Sequence, residues 1–284
     1  MDHSDIVAWV SSTSTSQERT FREAVHTVLL AIATSSDLQP QMLMKGGILL
    51  SIRYETGRFT KDIDFSTTTH YKQFQPSEQE FLDALSSALE AAVGSLEYQL
   101  DCRLQGYEVK PNAEGNYQTL HMKIGYAHFG SGLHKRLEAG TCPTVVKVDY
   151  SFNEQVHDID FIEIEGNSAM QTYGELTLIA EKYRAILQQT VRDRVRGQDI
   201  YDLHFVLTHY PMTDEARKKL LLKVLIEKAK SRDIIAERTS FSDPDIREKA
   251  RERYEALDVQ VIGPLPDYDE AFDFVKAFYE ALPW

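Results

Sequence analysis

The spacing of apolar residues changes character about two thirds of the way along the chain, and that change restricts the folds open to it. Up to about residue 165, helical spacing alternates with short runs of β-branched residues; beyond about residue 174, helical periodicity stands almost alone. Phe21, Val25, Val28, Leu29 and Ile32 predict an opening helix over 17–35, preceded by a Ser/Thr cluster at 11–16 that reads as its cap. Phe81, Leu85, Leu89 and Val93 predict a second helix over 77–93, with Pro76 near its start. Strands are expected at 61–65, 96–109, 117–128, 144–152 and 158–165, separated by turn-rich pieces such as PNAEGN and FGSGLH. The stretch 42–54 holds a Gly-Gly step followed by ILLSIRY, compatible with a strand or a short helix. Helices over 174–190 and 199–209 follow, with a break at Gly197. The expected fold class is α/β: a mixed β-sheet with flanking helices over 1–168, then a mainly α-helical domain over 169–284.

Composition excludes several function classes. No run of eighteen apolar residues occurs, so no membrane span is expected. The first residues are acidic and polar where a secretion signal is basic and then apolar, which predicts a cytoplasmic chain. Two cysteines, Cys102 and Cys142, are too few for a disulfide framework or a four-thiolate zinc site. With 31 Lys+Arg against 44 Asp+Glu, the net charge of −13 rules out a nonspecific nucleic-acid coat. Any nucleic-acid contact has to be local.

The chemistry concentrates between residues 45 and 64. Asp62 and Asp64 stand two apart on a strand, so both carboxylates share one face. Two acids that close repel unless a cation lies between them, and hard oxygen ligands of this kind suit Mg²⁺ bound together with substrate phosphates. Upstream, Gly46 and Gly47 carry no side chains, which lets backbone N–H groups approach phosphate oxygens. Lys45 and Arg58 flank that step with positive charge. Each element alone is a weak signal; the combination is much stronger.

The stretch KGGILL…RFTKDIDF resembles the AbiEii/AbiGii family of nucleotidyltransferase toxins, a branch of the polymerase-β-like nucleotidyltransferases. The resemblance continues at Val146-Lys147-Val148-Asp149-Tyr150, at Glu181-Lys182-Tyr183-Arg184-Ala185 and at Arg196-Gly197-Gln198-Asp199-Ile200-Tyr201-Asp202-Leu203, so that it spans about 45–203. It departs at Ile48, where the family usually has Ser or Thr after the Gly-Gly; Ser51 is not expected to substitute, which leaves backbone N–H groups, Lys45 and Arg58 as phosphate contacts.

Several residues carry two readings. By parity Lys147 and Asp149 project together from an apolar strand, either as functional groups or as half of a cross-strand ion pair; the resemblance implies that Asp149 is the third metal ligand and the base for an incoming hydroxyl. A second DIDF, at 158–161, has no glycine step before it and reads as a solvated edge strand. Lys182 lies beside the apolar stripe of its helix, where a lysine is ordinarily solvated or paired with an acid such as Glu181; the resemblance implies that it reaches a triphosphate. Asp199 and Asp202 lie one turn apart and could cap their helix or complete a site floor; Asp202 is expected to orient Lys182 or Arg184, and Asp199 to be the cap. Arg192, Arg194 and Arg196, followed by Arg217, Lys218, Lys219, Lys223, Lys228, Lys230 and Arg232, predict either a basic face for a polynucleotide or an ordinary solvated helix. Residues 237–284, by contrast, hold 6 basic and 12 acidic side chains.

The resemblance implies an Mg²⁺-dependent enzyme with catalytic residues Asp62, Asp64, Asp149, Lys182 and Asp202, transferring a nucleoside monophosphate from an NTP to RNA. The implied acceptor is the 3′ end of tRNA, and the implied partner a cognate antitoxin. The alternatives are a phosphotransferase acting on protein and a nucleotide-binding module without turnover, the latter motivated by Ile48.

Overall fold

The computed structural model describes residues 6–13, 15–74, 77–111 and 115–284, which form two compact units. The first comprises Met1–Arg53, Thr60–Glu154 and Ile159–Thr172; the second comprises Tyr54–Phe59, Gln155–Asp158 and Tyr173–Trp284. Two short segments within the first 168 residues, 54–59 and 155–158, thus group with the later helices.

The first unit contains α1 (Ile6–Ser11), α2 (Ser16–Thr34), β1 (Leu43–Lys45), α3 (Gly46–Arg53), β2 (Asp62–Ser66), α4 (Glu78–Ser95), β3 (Leu100–Lys110), β4 (Thr119–His128), α5 (Gly132–Glu138), β5 (Val145–Ser151), β6 (Ile159–Glu165) and β7 (Ser168–Tyr173). The strands form one mixed seven-stranded sheet in the order β3-β4-β5-β2-β1-β7-β6, with β2 at its centre. β2 pairs parallel with β5 and antiparallel with β1, and β1 pairs parallel with β7. The expected strands at 61–65, 96–109, 117–128, 144–152 and 158–165 are present with shifted ends, most of them trimmed and those of β2 and β3 running one residue further, and the expected α/β class holds.

Alternation along β2 explains its position. Ile63 and Phe65 are buried on one face, while Asp62 and Asp64 stand half-buried on the other. The apolar face continues through Val148 and Tyr150 on β5 and through Leu120 and Met122 on β4, and α2 and α4 cover it. Phe81 of α4 stacks on Tyr150 at 5.4 Å, and Phe21 of α2 meets Tyr126 edge-on at 6.4 Å. Each such buried side chain contributes roughly 1.5–3 kcal/mol. Both helices begin on side-chain caps: Thr15 accepts from the Glu18 N–H at 3.3 Å, and Ser77 and Glu80 form a reciprocal capping box. Pro76, expected near the start of α4, lies outside the described residues, as does Ser14 of the expected Ser/Thr cap.

Three elements differ from the sequence reading. The ambiguous stretch 42–54 is both structures in turn, the short β1 and then α3. FGSGLH, expected as a turn, opens α5, with Ser131 capping the His134 N–H at 3.1 Å. β7 carries little strand signal in the sequence, because SAMQTY has little β-branched character; its place beside β1 is set by tertiary pairing rather than propensity. The second DIDF sits on β6, at the end of the strand order, as expected for an edge strand. Its acids serve structure: Asp160 pairs with Arg53. Asp158, just ahead of β6, accepts from the Leu176 and Thr177 N–H groups at 3.1 and 2.7 Å.

The second unit contains α6 (Glu175–Gln188), α7 (Gly197–His209), α8 (Glu215–Lys230), α9 (Pro244–Arg251) and α10 (Tyr268–Glu280). Eleven of the fourteen α6 residues are buried, so α6 is a central helix rather than an amphipathic surface one. Tyr183 of α6 packs against Phe241 and Tyr279, and its hydroxyl donates to the Val275 carbonyl of α10 at 3.0 Å. The segment 54–59 is tied into this unit by backbone bonds from Phe59 N–H to Gln260 O at 2.6 Å and from Ile262 N–H to Gly57 O at 3.0 Å. The Tyr201 hydroxyl adds a bond to Thr56 O at 2.8 Å. Among the described residues, no helix is long and apolar enough to cross a membrane.

Candidate active site

Strand register assembles the polar face of the first unit. Lys45 lies opposite Asp64, Asp64 opposite Asp149, Asp149 opposite His121, and His121 opposite Glu108. Five strands therefore contribute one polar residue each to a single row. In the adjacent row Asp62 faces Lys147, which in turn faces Lys123. The three carboxylates expected to act together thus occupy neighbouring positions on the two central parallel strands.

Burial pushes the Asp62 carboxyl above the ordinary carboxylate range, and the Asp149 charge adds to that against the opposing pull of Lys147 and Lys61. Asp62 Oδ1 is shielded from solvent and accepts no hydrogen bond among the described residues; Lys147 Nζ stands 4.0 Å from it. Among the described residues, no three His, Cys, Asp or Glu side chains converge closely enough to hold an ion by themselves. An orphaned carboxylate oxygen beside two further acids nonetheless fits a hard divalent cation, which characteristically takes one or two carboxylates and completes its shell with water and substrate phosphates.

Gly46 is required twice over. Its φ is +77°, and a Cβ built there would lie 2.0 Å from Asp64 Oδ2. The Asp64 carboxylate therefore rests directly against the turn from β1 into α3, where the first N–H groups of the helix have no partner within it. Gly46→Ala is expected to cost more than about 1 kcal/mol through the positive φ alone, and to displace Asp64. A thermal melt run beside a transfer assay tests this: both should fall, and an alanine variant matching the unaltered chain in both contradicts it.

Ile48, in place of the expected hydroxyl residue, is buried in α3. Ser51 does not stand in for it, because its Oγ accepts a hydrogen bond from Trp9 Nε1 at 3.0 Å. Lys45 is buried, and its ammonium lies 3.5 Å from the equally buried Glu154. Glu154 was not singled out from the sequence; nothing in its spacing links it to a residue 109 positions earlier.

In the second unit a buried charge network joins Arg58, Lys182, Asp199 and Asp202. Arg58 donates through Nε and Nη2 to the two oxygens of Asp202, at 2.8 and 2.9 Å. Lys182 Nζ donates to Asp202 Oδ2 at 2.7 Å and to Asp199 Oδ1 at 2.9 Å. Burial alone would raise the Asp202 carboxyl, but the Arg58 and Lys182 charges more than offset it and hold it at about 2. Burial likewise opposes the Lys182 charge, and the two acids overcome it, so the ammonium is held above its usual range. Of the two partners expected for Asp202, Lys182 or Arg184, it is Lys182 that donates to it. Asp199 is not the helix cap: Arg196 occupies that position without a side-chain cap bond, and Asp199 is spent on Lys182. Arg58, expected to flank the Gly-Gly step, instead gives two of its donors to Asp202.

The basic run after Arg192 is only partly a surface. Lys228 is buried, donating to Gln155 O at 2.7 Å and lying 3.1 Å from Glu181. Arg217 pairs with Glu175, and Lys218 with Glu215 at 2.7 Å. Arg192, Arg194, Lys219 and Lys230 remain exposed.

Comparison with known proteins bears on this arrangement. The family model described as "Nucleotidyl transferase AbiEii toxin, Type IV TA system" matches residues 28–277. No curated protein gives a significant match. Among solved structures, JHP933 from Helicobacter pylori is similar with a TM-score of 0.53 at 16% identity, covering 95% of this chain and 93% of that one. MenT4, a nucleotidyltransferase toxin from Mycobacterium tuberculosis, is similar with a TM-score of 0.53 at 13% identity, covering 98% and 89%. At these identities the likeness is one of fold.

Proposed function

The chain belongs to the AbiEii nucleotidyl transferase toxin family of type IV toxin–antitoxin systems, and from that premise we propose that it transfers a nucleoside monophosphate from an NTP to the 3′ end of tRNA, in the cytoplasm and with Mg²⁺. As a nucleotidyltransferase it takes a nucleoside triphosphate as co-substrate, and its family implies a cognate antitoxin. The observation that carries the proposal is the register of β2 against β5, which sets Asp64 opposite Asp149 with Asp62 two residues along.

Asp62, Asp64 and Asp149 would hold the metal, whose chemistry is to make an acceptor hydroxyl more acidic and to offset charge on the triphosphate. The backbone N–H groups at Gly46 and Gly47, at the start of α3, would bind phosphate oxygens. Asp149 Oδ2 takes the proton of the terminal ribose hydroxyl, whose oxygen bonds to the α-phosphorus. The bond from α-phosphorus to the bridging oxygen breaks, and pyrophosphate leaves with that electron pair. Lys182 has two of its three donors committed to acids, which leaves one N–H for the triphosphate contact that the family resemblance implies. Arg192, Arg194, Lys219 and Lys230 offer the exposed positive charge that a polynucleotide backbone needs on an otherwise acidic chain.

Total RNA supplied with α-labelled NTPs and Mg²⁺ tests the acceptor. Label is expected in the tRNA fraction, and prior periodate oxidation of the RNA, which destroys its 3′ diol, is expected to abolish it. Labelling that survives oxidation would remove the 3′ end from the account.

A further inference from the structure

His121 is absent from every motif described above, yet it stands next to the third carboxylate. On β4 it is the register partner of Asp149, and its Nδ1 lies 2.7 Å from Asp149 Oδ1. With an ionised carboxylate as acceptor, that nitrogen carries the proton and donates. Both side chains are about one third exposed, so the bond borders solvent rather than lying in the core. We propose that His121 is a positioning residue for the nucleotidyl transfer: it fixes Asp149 through Oδ1 and leaves Oδ2 aimed at the metal and the acceptor hydroxyl.

Three features of the face support this role. A carboxylate next to Asp62 and Asp64 is pushed away from them by like charge, and a donor on the far strand holds it in a single rotamer. The two strands are in continuous register from Thr119↔Ser151 to Gly125↔Val145, so the imidazole is presented by rigid sheet rather than by a loop. Partners behind a metal-holding carboxylate orient it, and removing one typically costs about 10–100-fold in metal affinity or activity.

The inference rests on the carboxylate reading of the site, and the test separates the two. Mn²⁺ is titrated into the full chain, free ion is followed by electron paramagnetic resonance, and kcat and KM for transfer are measured beside it. Four proteins are compared: the unaltered chain, His121→Ala, His121→Asn and Asp149→Asn. His121→Ala is expected to weaken Mn²⁺ binding about tenfold or more and to lower kcat with little change in the KM for NTP. His121→Asn keeps an N–H near the Nδ1 position and is expected to recover most of both. Unchanged Mn²⁺ affinity in His121→Ala overturns the positioning role, and so does an asparagine variant as impaired as alanine. Unchanged Mn²⁺ affinity in Asp149→Asn would overturn the carboxylate reading itself.

Discussion

Asp64→Ala is expected to abolish nucleotide transfer, and with it toxicity on expression, while leaving the thermal midpoint of the chain unchanged or slightly raised. The two signs have different origins. Asp64 lies opposite Asp149 on one strand and Lys45 on the other, and its Oδ2 sits where a Cβ on Gly46 would be. It is the carboxylate closest to the Gly-Gly turn proposed to take the phosphates. Loss of a group that acts on charge developing at the reacting phosphate is expected to lower kcat at least a thousandfold, about 4 kcal/mol of transition-state stabilisation. The cost to the fold is expected to be small, because the side chain is half-buried on the polar face of β2 and two of its neighbours, Asp62 and Asp149, carry like charge. Removing one of three adjacent acids relieves repulsion, the usual relation between a strained site and the scaffold that bears it. Persistent toxicity in the variant, or an unfolded protein, would contradict this assignment.

Asp202→Ala is expected to do the reverse, damaging the fold first. Asp202 is fully buried and accepts two hydrogen bonds from Arg58 and one from Lys182. Its removal leaves a guanidinium buried without its acid, and breaking a buried pair from one side costs about 3–5 kcal/mol, a large part of the roughly 5–15 kcal/mol that keeps a typical protein folded. The urea midpoint should fall by about 1 M or more. The network also has a pH signature. The Asp202 carboxyl is held at about 2 in the folded chain, against about 3.9 when unfolded. Because the folded value is depressed, its contribution is complete above about pH 4 and is lost as the pH falls towards 2. Asp202→Asn should therefore show a shallower loss of stability across that interval than the unaltered chain. A midpoint within experimental error of the unaltered chain would show that Arg58 and Lys182 find other partners.

How much of this was legible beforehand differs from element to element, for physical reasons. Period-two alternation marked KDIDF and TVVKVDY as strands, and parity alone placed Asp62 with Asp64 and Lys147 with Asp149. What parity cannot supply is register. The pairing of Asp64 with Asp149, and of Asp149 with His121, depends on how strands far apart in sequence align, so His121 carried no signal of its own. The same holds for Arg58. Its nearness in sequence to Asp62 suggested a phosphate contact, but backbone pairing of 57–59 with 260–262 groups it with Asp202. Lys182 was placed beside an apolar stripe, and the structure buries its helix almost all round, because charge pairing with Asp199 and Asp202 makes a lysine tolerable there.

The net charge of −13 takes on a narrower meaning in this light. Three acids gather at one face of a sheet, two more neutralise buried cations, and several residues of the basic run, compatible in sequence with either a polynucleotide face or a solvated helix, are committed to acids. That distribution agrees with the proposed transfer to one end of an RNA and not with a coat along it.

On the proposed function, the β2–β5 carboxylates serve the transfer of a nucleoside monophosphate to RNA. Parallel reactions with α-labelled and γ-labelled NTP, run with the unaltered chain and with Asp64→Ala, address it most directly. The expected result is α-label on RNA and γ-label only in released pyrophosphate, with neither product formed by the variant. Label passing from the γ-phosphate to protein, or nucleotide bound with no transfer at all, would contradict it.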